Sequence, residues 1–123
     1  MNGTEVGTLL GLMALADNRK PPEDKQGRRA MIDFWLSMVG DLSYADAAQA
    51  VGEHYRESRD WIMPADIRQR VAAARQARLD AAGDIQIPEH LADRPIEARD
   101  WLQRTRDAIA DGQPPLRAIR GAR

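Results

Sequence analysis

The sequence predicts an all-α protein: a small orthogonal bundle of four helices followed by one tethered amphipathic helix. Three observations lead there. Apolar residues recur at helical spacing in five stretches, whereas no sustained two-residue alternation marks a strand, and Ile85-Gln86-Ile87 is too short to count. Cap residues, prolines and glycines stand where those stretches begin and end. The third is the run from Asp60 to Leu79, around which the rest is organised.

The first helix is expected from Thr4, as its cap, to about Ala16, with Val6, Leu9, Leu10 and Met13 on one face. Gly7 and Gly11 fall on the opposite side and weaken it, so it needs tertiary support. A polar loop at 17–27 carries Pro21 and Pro22. The second helix, about Arg28 to Val39, is apolar most of the way round, as befits the middle of a bundle, and Gly40 is placed to end it in the left-handed conformation. Ser43 with Asp46 forms a capping box for a third helix to about Arg56, whose stripe is Tyr44, Ala47, Ala48, Val51 and Tyr55.

The fourth helix follows an apolar clasp of Trp61, Ile62 and Met63. Pro64 suits its first position, where a missing N–H needs no partner, and Asp66 meets the positive end of the helix dipole. Ile67, Val71 and Ala74 form its stripe, flanked by Arg68, Arg70 and Arg75, with Arg78 in the middle of the stripe two turns on. After a loose stretch with Gly83 and Pro88, Pro95 starts a last helix to about Asp111, with Ala98, Trp101, Leu102, Thr105 and Ile109 on one face. The expected organisation is therefore a helical bundle over 1–80, a linker over 81–94, an amphipathic helix over 95–111 and a basic flexible tail over 112–123.

Net charge is −1, which provides no global field toward nucleic acid or anionic lipid. The sign is uneven, with four arginines against one aspartate in 67–80 and three arginines without an acid in 112–123. Cysteine is absent, which removes disulfides, thiol nucleophiles and thiolate metal sites. No stretch approaches the roughly 18 apolar residues that span a bilayer, so a soluble, cytoplasmic protein is expected.

Catalytic constellations are hard to find. His54 and Glu57 lie one turn apart without a third ligand, and the expectation is a surface histidine beside an acid rather than a metal site. The carboxylates are scattered on polar faces, and the serines lack a glycine elbow. Lys20 sits between Arg19 and Pro21 and Lys25 between Asp24 and Gln26, so neither fits the Gly-Lys-Ser/Thr step of a phosphate-cradling loop. A non-enzyme without cofactors is expected. Two features are left to carry a function. The planar forks of Arg68, Arg75 and Arg78 suit an acidic partner or a nucleic-acid backbone, against the plainer alternative of a solvated helix face. The stripe of Trp101, Leu102 and Ile109 either packs back on the core, self-associates or docks on a partner, since a lone helix of about 16 residues is marginal in water.

The order Thr4-Glu5-Val6-x-x-Leu9-Leu10, a proline loop, Phe34-Trp35, Gly40-Asp41-Leu42-Ser43-Tyr44-x-Asp46-Ala47, Ala50-Val51-x-x-His54-Tyr55 and Trp61-Ile62-Met63-Pro64-Ala65-Asp66-Ile67-Arg68 resembles the small phage proteins of the helicase loader and inhibitor family, including short proteins of actinobacterial phages and prophages. The resemblance covers about residues 4–79. It implies an all-helical N-terminal domain and a flexible C-terminal part that contacts the replicative helicase, a hexameric ATPase. It further implies delivery of that helicase to a replisome organiser, near single-stranded-DNA-binding protein, by a loader with no nucleotide site of its own. The chain departs from the family in its strong C-terminal amphipathic helix, so the family's helicase-binding residues do not carry over.

On this expectation the chain is a non-catalytic adaptor in which Trp101, Leu102 and Ile109 dock on the helicase. Two other classes stand beside it. One is a small helix-turn-helix DNA-binding regulator with the fourth helix in the major groove, disfavoured by the long Ser58–Met63 connection and the net charge. The other is a homodimeric scaffold zipped by its last helix.

Overall fold

The computed structural model describes residues 1–113, and these are all-helical: α1 (Gly3–Asp17), α2 (Lys25–Val39), α3 (Tyr44–Glu57), α4 (Pro64–Ala82), a single 3-10 turn (Glu89–Leu91) and α5 (Pro95–Ala110). Residues 114–123, which hold most of the expected basic tail, lie outside the described residues. The chain divides into two compact units, Met1–Ala72 and Ala73–Arg123, with the boundary inside α4. The division differs from the expected break at residue 80. The second half of α4 belongs with the C-terminal unit because Arg75 and Arg78 bond to the end of α5.

In the N-terminal unit α1 is the central helix. Val6, Leu9 and Met13, at i, i+3 and i+7, are wholly buried, and the helix packs against both α2 and α3. Trp35 and Val39 of α2, Ala47, Ala50 and Val51 of α3, Ile62, and Ile67 and Val71 of α4 complete one core. The expectation of a central α2 is therefore corrected. Although α2 is apolar most of the way round, it buries only Trp35 and Val39, while Phe34 and Met38 stay exposed.

The caps correct three further expectations. Asn2, not Thr4, opens α1, and it does so with a reciprocal capping box in which Asn2 and Glu5 each bind the other's backbone N–H. Asp24 caps α2 three residues earlier than expected by accepting the Gly27 N–H. Gly40 is not left-handed; its φ is −62°, and glycine serves there because a Cβ would collide with the Leu36 carbonyl. The Ser43 hydroxyl accepts the Asp46 N–H as expected, and Asp66 accepts the Met63 N–H at the start of α4.

The C-terminal unit has its own small core. Leu91 of the 3-10 turn packs with Ala98 and Trp101 of α5, flanked by Ile85 and Leu102. The segment expected to be a loose linker is thus folded onto α5. Gly83 (φ +68°) and Gly112 (φ +85°) turn the chain in the left-handed region after α4 and α5, where a side chain would be strained. Among the described residues, no helix is long and apolar enough to cross a membrane.

Candidate functional site

The most unusual chemistry in the N-terminal unit begins just past the end of α1. Asn18 takes the left-handed conformation (φ 61°) that closes the helix, and this turn folds Arg19 back over Asp17. Arg19 donates Nε to Asp17 Oδ1 and Oδ2 at 3.0 and 2.9 Å, and Nη2 to Oδ2 at 2.6 Å. The Asp17 side chain is 0% exposed and that of Arg19 7%. A buried pair of this kind is tolerated only when its remaining bonding capacity is used. Here it is: the Tyr55 hydroxyl donates to Asp17 Oδ2, and Arg19 Nη2 reaches the Ile62 carbonyl at 3.1 Å. The Tyr55 oxygen also accepts the Ile62 N–H at 3.0 Å.

Burial pushes the Asp17 carboxyl up, but hydrogen bonds from Arg19 and Tyr55 outweigh it and hold the group below its ordinary value. For Tyr55, burial and the neighbouring Asp17 carboxylate together raise the phenol. The guanidinium carbon of Arg19 lies 5.8 Å from the Trp35 ring and 4.9 Å from the Trp61 ring, within cation–π range of both. The cluster therefore ties the end of α1 to α3 and to the turn before α4. It is a structural clasp.

Around it the unit exposes large apolar side chains. Trp61 and Met63, expected as packed members of the apolar clasp, are more than half exposed, and only Ile62 between them is buried. Phe34 and Met38, one turn apart on α2, are exposed as well. Arg68 stands at that end of α2, donating Nη1 to the Met38 carbonyl at 3.1 Å and closing a two-pronged pair on Asp41 at 2.6 and 3.0 Å. That pair holds the Asp41 carboxyl below its ordinary value.

The other expected arginines are also engaged within the chain. Arg75 pairs with Asp111, and Arg78 donates to the Ala110 carbonyl at 2.7 Å. Arg70 binds Glu57 at 2.9 Å, with Glu53 at 3.8 Å. Each of Arg68, Arg75 and Arg78 is thus engaged inside the chain, the first within the N-terminal unit and the other two within the C-terminal unit.

Trp101 is 3% exposed and Ile109 is buried, so the docking stripe expected on α5 is interior to the C-terminal unit; Leu102 is half-buried. The physical reason is the apolar content of the preceding segment, which provides Ile85 and Leu91 as partners. Beside Trp101, Thr105 is fully buried and its hydroxyl has no hydrogen-bond partner among the described residues, at the wall of a cavity of about 180 Å³.

His54 corrects the expectation of a surface histidine. It is buried, and its Nε2 lies 2.7 Å from the Asp60 carbonyl. Among the described residues no group of three histidine, aspartate or glutamate side chains could hold a metal ion. Sequence reading missed Asp17 and Arg19, which lay hidden in a stretch of polar loop. The available signal was an acid and an arginine straddling a helix end. Comparison with protein-family models, with curated proteins and with solved structures finds no match for this chain.

Proposed function

We propose that the chain is a non-catalytic adaptor of the phage helicase-loader type, in which the N-terminal unit, taken as a four-helix orthogonal bundle, holds a replicative helicase. The observation that carries this reading is the set of large apolar side chains exposed on that unit, Phe34, Met38, Trp61 and Met63. Monomeric proteins expose single apolar residues commonly, but four from α2 and one adjoining turn suit a protein-binding face with aromatic anchors. The turn is anchored to the end of α1 by the Arg19 clasp, so the face is held rigid before binding. Trp101 and Ile109 leave the docking role on this reading, because reaching them requires opening the C-terminal core. The ion-paired state of Arg68 and Arg75 favours a protein partner over nucleic acid, with the replisome organiser and single-stranded-DNA-binding protein as further contacts.

The test is capture of the purified host replicative helicase by the tagged chain after nuclease treatment. The Phe34→Ser/Met63→Ser double variant leaves the Arg19 clasp intact and is expected to lose capture while retaining its helical circular dichroism. Undiminished capture by that variant would sink the assignment of the face. Recovery of nucleic acid in place of helicase would move the protein to the DNA-binding class.

A further inference from the structure

A groove runs between α1 and α2 in the N-terminal unit, a cavity of about 250 Å³ walled by Leu10, Ala14, Met31 and Ile32. Its floor is Gly7 and Gly11 of α1. Glycine is a poor residue in a helix interior, and internal packing requires neither of these. A Cβ built at Gly11 would meet nothing within 4 Å, and one at Gly7 would make only an ordinary contact with Ile32 at 3.7 Å. Their missing side chains hold the groove open instead. Leu15, one turn beyond Gly11 on α1, is 83% exposed.

Charge around this groove is one-sided. Arg19 and Arg28 line it and no carboxylate does. Arg19 is neutralised by Asp17, but Arg28 donates only Nη1, to the backbone carbonyls of Pro22 and Glu23. Lys20, Lys25 and Arg29 on the same stretch are exposed, and among the described residues none of these four cations enters an ion pair. Glu23, Asp24 and Asp33 offset three of the four in charge, but none of them lines the groove, and Asp24 is occupied in capping α2. The carboxylates of α1 are committed as well, Glu5 to the Asn2 N–H and Asp17 to Arg19.

We infer that the α1–α2 groove docks an acidic amphipathic helix of a partner protein. One or two bulky apolar side chains of that helix enter over Gly7 and Gly11, and its carboxylates face Lys20, Lys25, Arg28 and Arg29. The cavity is smaller than the roughly 300–1,000 Å³ usual for small-molecule sites, whereas helix-in-groove recognition needs only anchors at i and i+4. Arg28, which lines the groove where no carboxylate does, selects the acidic partner. The groove lies apart from Phe34 and Met63, and this inference stands whether or not the partner of that face is a helicase.

The test is selection of helical peptides from a displayed library against the full chain, with Gly11→Leu as the counter-target. Since a Cβ at Gly11 meets nothing within 4 Å, Gly11→Leu is expected to occupy the groove and to leave the melting temperature unchanged or raised. Enriched peptides are expected to carry large apolar residues at i and i+4 with Asp or Glu beside them. They should bind the natural chain at least tenfold more tightly than Gly11→Leu. The exposed-site variant Arg28→Glu should weaken the best peptide several-fold, and added salt should do the same. Enrichment of neutral or basic peptides, equal binding to Gly11→Leu, or no enrichment overturns the inference. So does a groove-dependent dimer in sedimentation, or groove-dependent binding to phosphatidylglycerol vesicles, either of which gives the groove a different occupant.

Discussion

Arg19 stands two residues past Asp17, beyond the end of its helix, yet it turns back to close a fork on the Asp17 carboxylate with nitrogen–oxygen distances of 2.6 to 3.0 Å. Removing one partner of a buried pair leaves an uncompensated charge. Asp17→Ala is therefore expected to destabilise the N-terminal unit by about 3–5 kcal/mol. Urea unfolding followed through Trp35 and Trp61 fluorescence in a Trp101→Phe background measures it. A loss below about 1 kcal/mol would show that the clasp is dispensable.

The same cluster sets the response to pH at both ends of the scale. Asp17 releases its proton more readily in the folded chain than in the unfolded one. Its contribution is complete above the unfolded value of about 3.9 and is lost as the pH falls through the lower folded value. Tyr55 is raised, so its contribution is complete below the unfolded value of about 10 and is lost as the pH rises through the folded one. Asp17→Asn should flatten the acid limb of stability against pH, and Tyr55→Phe the alkaline limb. Limbs that keep their slopes in these variants would place the titration elsewhere.

Thr105 offers a prediction of the opposite sign. Its buried hydroxyl has no partner among the described residues, and valine has nearly the same shape. Thr105→Val is expected to stabilise the C-terminal unit by about 1 kcal/mol, because an unsatisfied buried hydroxyl carries a desolvation cost of about 1–3 kcal/mol. A calorimetric melt that falls would show that the hydroxyl is bonded in solution.

Trp101 lies in the core of the C-terminal unit. Trp101→Ala should cost the C-terminal unit about 3–5 kcal/mol by leaving a cavity beside Leu91 and Ala98. The amide protection of Val6, Leu9 and Met13 in hydrogen exchange should remain that of the natural chain. If the proposed adaptor function holds, capture of a replicative helicase should persist too. Loss of both protections together would mean that the chain unfolds as one piece.

The sequence made the helices legible because their periodicity and caps are local. Ser43, Pro64 and Gly112 mark true boundaries for reasons contained within four residues. Burial was less legible where it depends on which face finds a neighbour. Phe34 and Trp35 are equally apolar, but only Trp35 turns toward the core. Whether Trp101 packs back or docks on a partner stayed open because Leu91, its partner, sits in a stretch whose Gly83 and Pro88 read as linker. The arginines of α4 looked available because the acids that engage them are distant in sequence: Asp41 is 27 residues from Arg68, and Asp111 is 36 from Arg75.

The clasp at Asp17 also bears on the order of folding events. The fork between Asp17 and Arg19 closes over two residues, a loop of negligible entropy, whereas the bonds that satisfy it come from Tyr55 and Ile62, 38 and 43 residues away. Until those arrive the pair gains nothing by leaving water. The ions are thus expected to stay hydrated through the folding transition state and to dehydrate on its native side. Weakening them should then accelerate unfolding and leave the folding rate nearly unchanged, so that the clasp governs how long the N-terminal unit stays folded more than how quickly it forms.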